Sequence, residues 1–398
     1  MPNILVLNAG SSTLKFRLLG MAAPQAPETV ADGLVEKWGS PAAQLRLKIS
    51  GRDPEQRPVA AESAADAAGH AIEACLPFGI DAIGHRVVHG GPRYQEPTRI
   101  TPQVVEGIKE VSHLAPLHNA LAVAGIEAGL RRLPGTPAVA IFDTAFHRTI
   151  PEFAALYALP LELSQKHSLR RFGFHGISHR CVSRRLLECL GRQPAGTRVI
   201  TCHLGNGASV CAIRDGNSVD TSMGLTPMEG LIMGTRTGDI DPGLVLHLMT
   251  ALNMSASHID DLLNRQSGLL GISGCSGDMR DVEQAAAAGD QRAQLALDMF
   301  AYRVRKYIGA YAAAMGGLDA VAFAGGIGEH SPGARRRICQ EVENLGIVLD
   351  SDRNASADSH NPTRISADGS AVDVWVIPTD EELQIAREVC ELLRLPRT

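Results

Sequence analysis

The chain has 398 residues, of which 44% are hydrophobic and 20% charged, and a formal net charge of −5. That length suits two or three domains with substantial cores, and the mild acidity leaves no basic footprint for nucleic acid or an anionic membrane. No apolar run has the length of a membrane span and Ile4–Leu7 is too short for a secretory signal, so a cytoplasmic protein without nucleic-acid or membrane partners is expected. Cys75, Cys181, Cys189, Cys202, Cys211, Cys275, Cys339 and Cys390 are scattered with no CxxC pair, which favours buried free thiols over disulfides or a zinc site.

In chain order, the strand-like run Ile4–Leu7 breaks into Asn8-Ala9-Gly10-Ser11-Ser12-Thr13 and resumes over Leu14–Leu19. The turn offers small residues, hydroxyls, free N–H groups and then Lys15, a set that can wrap an anionic oxygen cluster. Taken alone, an ordinary hairpin turn is the simpler account. A helical pattern over Ala60–Cys75 precedes a strand over Ala82–Val88, in which Arg86 stands inside an apolar run ending at Gly90-Gly91. A charge there needs a partner, and a structural ion pair and an anion clamp explain it equally well. Val88 shares the Arg86 face and can line a small apolar pocket.

Leu114–Asn119 reads as a loop before the helix Ala120–Leu130, with Asn119 a candidate N-cap and His118 a loop histidine. Asp143 follows the strand Ala138–Phe142, at a strand end where α/β proteins place functional groups, although Asp is also a common loop cap. Around Gly173-Phe174-His175-Gly176 the glycines allow close approach of a ligand, and surface basicity accounts for Arg170 and Arg171. A helix is expected from near Ser178 to Leu190, and without an HExxH motif a metal site at His175 and His179 has little support.

Strands Val199–His203 and Ser209–Arg214 flank Gly205-Asn206-Gly207 and repeat the plan of the opening, which suggests two related domains. Thr221–Pro242 is long, glycine-punctuated and irregular, yet its Met, Leu and Ile argue against disorder. A long helix is read over Asp281–Met315, with Phe300, Val304, Ile308, Tyr311 and Met315 as its core stripe. The strand Ala320–Ala324 runs into a glycine-rich loop at Gly325–Glu329, and Val372–Ile377 closes the strand list. Neither GxGxxG nor GxxxxGK[ST] occurs, so Rossmann and P-loop chemistry lose support.

Together these stretches, with Gly271–Asp281 and Pro378–Ala386, closely resemble the acetate kinase family of the acetate and sugar kinase, heat-shock 70 and actin superfamily. The resemblance covers nearly the whole chain. It implies an α/β fold of two ribonuclease-H-like (actin-like) domains around a central cleft, residues 1–147 plus 384–398 and the nucleotide-binding 148–383, and a homodimer. It also implies reversible transfer of phosphoryl from ATP to acetate, giving ADP and acetyl phosphate, with Mg²⁺ or Mn²⁺ in its place. By the same resemblance Asn8 and Glu381 hold the metal and Lys15 contacts ATP. Arg86 binds the acetate carboxylate, and Val88, Leu117, Phe174 and Pro227 surround its methyl group. Asp143, His175 and Arg236 are catalytic, with His118 of secondary importance. His203, Leu204, Gly205, Asn206 and Gly207 form a phosphate loop. Asp278, Met279, Arg280, Gly326, Ile327, Gly328, Glu329 and His330 contact the nucleotide.

Acetate is already ionised at pH 7 and needs no general base, so Asp143 is expected to orient Arg86, Arg236 or the metal shell. Thr13, Ala120, Met279 and His330 depart from the family's usual Ser, Pro, Phe and Asn. The alternatives are a propionate kinase, which Val88 argues against, and a nucleotide- and carboxylate-binding sensor without turnover.

Overall fold

The structure, a computed structural model, describes residues 1–10, 12–21 and 27–395, with Leu117 described in its backbone alone. Ser11 of the opening turn and the Leu117 side chain lie outside the described residues. The chain divides into two compact units, Met1–Phe146 with Asp380–Thr398, and His147–Thr379. The return to the first unit comes at Asp380 rather than near 384, where the Asp380 carboxylate caps the helix Glu381–Leu393.

In the first unit, β1 (Asn3–Ala9), β2 (Thr13–Gly20), β3 (Glu28–Glu36), β4 (Gln44–Ile49), β5 (Glu55–Pro58), β6 (Ala82–Val87), β7 (Thr98–Arg99) and β8 (Ala138–Phe142) form one sheet. Its order is β5-β4-β3-β2-β1-β6-β8-β7, with β1, β6 and β8 mutually parallel. Such central strands are covered on both faces, which is why Ile4–Leu7 and Ala138–Phe142 read as unbroken apolar runs.

The two-residue period then sorts the side chains. Leu5, Leu7, Leu14, Phe16, Leu18, Ile83 and Val87 enter the core shared with the helices Ala64–Cys75 and Pro116–Arg132. Asn8, Lys15, Arg17 and Arg86 lie on the opposite face, which the helix Glu381–Leu393 covers. That helix reaches the sheet only because residue 84 is glycine: a Cβ there would stand 2.6 Å from Ile385 Cγ2 and 3.0 Å from Val389 Cγ2.

The second unit repeats the plan. β9 (Arg198–Leu204), β10 (Ala208–Arg214), β11 (Asn217–Thr221), β12 (Ala320–Ala324), β13 (Thr363–Arg364) and β14 (Asp373–Val376) are ordered β11-β10-β9-β12-β14-β13. The β9–β10 hairpin is antiparallel, while β9, β12 and β14 run parallel. Order and direction match β3-β2-β1-β6-β8-β7 of the first unit, so the echo between the two hairpins marks a repeated topology. The helix Gly176–Leu190 packs on β9 and β12, and Gln291–Met315 packs on β9 and β10.

Four expectations need correction. The Asp281–Met315 pattern is two helices, Met279–Ala287 and Gln291–Met315, because Gly289 (φ 96°) ends the first and Asp290 caps the second. The helix expected at Ala120 starts at Pro116, so Ala120 is an interior position. Asn119 is therefore no cap; its buried amide pairs with both backbone groups of His89, at 3.0 and 2.9 Å. Gly325–Glu329 is not loop but the body of a short helix, Gly325–His330.

All eight cysteines are free, and six of them are buried. Among the described residues no helix is long and apolar enough to cross a membrane. Since the terminal helix sits directly on Gly84, Gly84→Val should lower the denaturant midpoint by the equivalent of about 1–3 kcal/mol. Ile385→Ala in the same chain should recover part of that loss, and a midpoint unchanged by Gly84→Val would refute the close packing.

Candidate active site

In the first unit the site grows from the carboxyl ends of three adjacent parallel strands. Register sets Leu7 against His85 and Arg86 against Ile141, which brings Asn8, Arg86 and the residue after β8 together. That residue, Asp143, is anchored by its own N–H to the Val87 carbonyl at 3.0 Å. Its Oδ2 accepts from Arg86 Nε at 3.0 Å and Nη2 at 2.5 Å, while Arg86 Nη1 donates to Asn8 Oδ1 at 3.0 Å. Glu381, at the first turn of the terminal helix, brings Oε2 to 4.0 Å from Arg86 Nε. The Arg86 side chain keeps 20% of its surface exposed and that of Asp143 only 2%, so the guanidinium is held from behind with an accessible edge.

Electrostatics here is unbalanced. Burial opposes the Arg86 charge, but Asp143 and Glu381 outweigh it and hold the guanidinium above its ordinary pKa. Glu381 is pushed up to about 7, first by burial and then, against the pull of Arg86, by Asp143 and Glu382. Among the described residues Asp143 Oδ1 is buried with no hydrogen-bond partner. An orphaned carboxylate oxygen beside a carboxylate that resists ionisation is an environment suited to a cation. Among the described residues no group of three or more His, Cys, Asp or Glu forms a cage. A cation that keeps most of its waters and takes one or two carboxylates, as Mg²⁺ does, needs none. Lys15 pairs in register with Asn8 on the same face. Val88 is buried at the end of β6.

In the second unit, His175 holds a left-handed backbone (φ 55°) at the entry to the helix Gly176–Leu190. Gly173 precedes it at φ 71°, where a Cβ would meet Thr221 Cγ2 at 2.5 Å and His147 Cδ2 at 2.6 Å. His147 Nε2 then donates to the Phe174 carbonyl at 3.0 Å, fixing the chain just before His175. The His203 ring lies 4.3 Å from that of His175, and its Nδ1 contacts Ser178 Oγ at 2.7 Å. A Cβ on Gly207 would stand 3.6 Å from His175 Nε2 and 3.7 Å from Arg236 Nη1, so the turn, the histidine and the arginine converge. Arg236 Nη1 donates to the Pro227 carbonyl at 3.2 Å, and burial holds Arg236 below its ordinary pKa.

A cavity of about 450 Å³ opens beside this turn. Gly205, Asn206, Asp278, Met279, Arg280, Gly326, Ile327 and His330 line it, with Gly277, Glu283 and Ser331 added to the expected set. Leu204 and Gly328 are buried in the fold, and the Glu329 carboxylate turns away to accept the N–H groups of Gly325 and Thr379, at 2.8 and 3.0 Å.

Comparison with known proteins assigns the chain to a family. The sequence profile of the acetokinase family matches residues 3–387. The chain belongs to the acetokinase family. It is 48% identical to the acetate kinase of Heliobacterium modesticaldum, over 98% of this chain and 99% of that one. A solved acetate kinase from Porphyromonas gingivalis superposes with a TM-score of 0.91 at 44% identity, covering 99% of this chain and all (100%) of the other. A solved propionate kinase from Francisella tularensis gives 0.89 at 41% identity, covering 98% and 99%. The fold is that of these solved acetate and propionate kinases.

Sequence reasoning missed the residues that hold Ser222–Asp241 in place. Arg171 is no surface cation: Nη1 donates to the carbonyls of Thr221, Ser222 and Met223, and Nη2 to Glu229 at 2.6 Å. Tyr157 donates to the other Glu229 oxygen at 2.5 Å. At the far end Tyr307 donates to Asp239 at 2.8 Å, and Arg303 donates to the carbonyls of Gly230 and Asp239. The signal available was an arginine with no acidic neighbour in sequence, set in an aromatic, glycine-rich stretch.

The upward shift of Glu381 makes stability depend on pH. Between about 4.5 and 7 the folded state holds a proton that the unfolded state has lost, so stability falls as pH rises through that window. In metal-free buffer, Glu381→Gln should remove that part of the decline, roughly 2–3 kcal/mol between pH 5 and 7.5. Parallel denaturation curves for wild type and variant across this range would refute the shift.

Proposed function

We propose that this chain transfers the γ-phosphoryl group of ATP to acetate, reversibly giving ADP and acetyl phosphate, in a direct in-line step that uses Mg²⁺. The observation that carries the reading is Arg86, fixed by Asp143 and Asn8 with an open edge, in a chain 48% identical over nearly its whole length to an acetate kinase. A planar guanidinium matches a carboxylate in two parallel hydrogen bonds. Acetate arrives ionised, so its oxygen is already a nucleophile and Asp143 need take no proton from it. The role assigned to Asp143 is to hold Arg86 in the orientation that receives the carboxylate.

Phosphoryl transfer then depends on alignment and on neutralising charge at the oxygens of the transferring group. Arg236 and His175, which converge on the turn at Gly207, are assigned to those oxygens. The main-chain N–H groups of Gly205–Gly207 are assigned to the phosphates, and Lys15 is assigned to ATP. The residues around the 450 Å³ cavity are assigned to the nucleoside. Asn8 and Glu381 would hold Mg²⁺, which when bound supplies positive charge at the phosphate oxygens. Val88 leaves room for a methyl group, and the preference for acetate over propionate is of the order of 1–3 kcal/mol. A cytoplasmic location belongs to the same reading, since the cysteines remain free thiols.

A homodimer completes the proposal. The helix Pro242–Thr250 buries none of its residues, and Leu244, Leu246, Met249 and Leu252 expose 44%, 63%, 42% and 59% of their surface. An apolar patch of that kind marks a protein interface. Light scattering should give twice the 42.3 kDa chain mass. Leu246→Glu should shift the protein toward the monomer, and a wild-type monomer at micromolar concentration would refute the dimer.

The activity is tested by trapping acyl phosphate as hydroxamate with ATP, Mg²⁺ and acetate, propionate or butyrate in parallel. Acetate should give the highest kcat/KM, and product from none of the acids would leave only the sensor reading. Arg86→Ala should raise the acetate KM by at least about tenfold and lower kcat. An unchanged acetate KM would remove Arg86 from the carboxylate site.

A further inference from the structure

Beneath His175 a line of hydrogen bonds runs into the core of the second unit. His175 Nδ1 lies 2.9 Å from Ser209 Oγ, Ser209 Oγ lies 2.8 Å from His179 Nε2, and His179 Nδ1 lies 2.7 Å from Thr201 Oγ1. Ser209, His179 and Thr201 are 0%, 0% and 1% exposed. The line links the first two strands of the sheet, β9 through Thr201 and β10 through Ser209, to the helix that carries His179.

The buried end decides which way every proton points. Among the described residues the Thr201 hydroxyl has one hydrogen-bond partner, His179 Nδ1. If that nitrogen carried the proton, the Thr201 hydrogen would be sealed in the core with no acceptor, an arrangement native cores avoid. Thr201 therefore donates to His179 Nδ1. Burial, followed by His147 and His203, holds His179 well below its ordinary pKa, so it is neutral. Its single proton is then on Nε2 and is donated to Ser209 Oγ. The Ser209 hydrogen has one partner left, His175 Nδ1. Accepting there, a neutral His175 carries its own proton on Nε2, the atom beside the Gly207 turn and Arg236.

We propose that Thr201, His179 and Ser209 are positioning residues that hold His175 as the neutral tautomer protonated on Nε2, so that it presents a hydrogen-bond donor to the transferring phosphoryl group. The proposal rests on the reading above in which His175 faces that group. The opposite tautomer would aim a lone pair at phosphate oxygens and repel them. A cationic imidazolium would stand against Arg236, whereas a neutral donor adds a hydrogen bond without that repulsion.

The test separates the tautomer from packing and from the role of His175. Thr201→Val keeps the shape and removes the hydroxyl, while Thr201→Ser loses a methyl group and keeps the hydroxyl. Long-range ¹H–¹⁵N spectra of histidine-labelled wild type should show His175 as the Nε2–H form, and Thr201→Val should mix the two tautomers. The same variant should lower kcat about tenfold, with KM for ATP and acetate within about twofold, while Thr201→Ser stays near wild type. A purely structural role predicts the reverse order, with Thr201→Ser the poorer enzyme. An Nδ1–H signal for His175 in wild type, or a Thr201→Val enzyme with wild-type kcat, would overturn the proposal. His175→Ala is the control on the reading beneath it: wild-type kcat in that variant removes His175 from the reaction, and the spectra alone then judge the tautomer.

Discussion

The first unit is organised around one partly buried cation, Arg86. Arg86 sits at the end of a strand whose other residues are core, and a guanidinium in such a place is tolerated only with its charge met and its donors filled. Every neighbouring choice follows from that demand. The strand beside it ends in Asp143, the strand on the other side supplies Asn8, and Gly84 lets the terminal helix descend far enough to bring Glu381 close. Removing Asp143 alone would strand a partly buried charge, a change of the kind that costs several kcal/mol. The group that makes the site useful is thus also the one its surroundings are built to hold.

The acids overshoot. Asp143, Glu381 and Glu382 surround Arg86, and Glu381 responds by keeping its proton up to about pH 7. Under the proposed reading, an incoming carboxylate shares Arg86 with Asp143 and adds negative charge beside Glu381, whose ionisation Asp143 and Glu382 already oppose. Under the proposed reading this ties the two ligands together: a cation near Asn8 and Glu381 lowers the electrostatic cost of seating acetate, and acetate raises the attraction for the cation. Coupling of this sort is reciprocal by linkage.

Much of this arrangement was legible in the sequence, and for identifiable reasons. The apolar runs at Ile4–Leu7, Ala82–Val88, Ala138–Phe142 and Ala320–Ala324 are strands covered on both faces, which give the strongest periodic signal a sheet can give. Their polar ends, Asn8, Arg86 and Asp143, stood out because, His85 apart, nothing else in those segments is polar. What stayed hidden was set by tertiary contact. Pro116 rather than Asn119 starts its helix because Asn119 is spent on the His89 backbone, a pairing thirty residues away. β3 to β5 carry many exposed polar residues and so resemble solvated loops until they pair, β3 with β2, β4 with β3 and β5 with β4. Arg171 looked like a surface cation because its acceptors are carbonyls some fifty residues on, which no local pattern reveals.

The two units share one sheet order and yet fix their key donors by opposite means. In the first, Arg86 is a full charge locked by a full charge, and its orientation is read from Asp143 at 2.5 Å. In the second, His175 is locked by neutral hydroxyls and a neutral histidine, because Arg236 already brings a cation to the same turn. A second ion pair there would need a carboxylate close to where phosphate oxygens are to lie, and that carboxylate would repel them. A line of neutral groups fixes the donor without adding negative charge. Since it ends at Thr201, inside the sheet, the proposed orientation of the His175 ring depends on a hydroxyl two hydrogen bonds beyond Ser209.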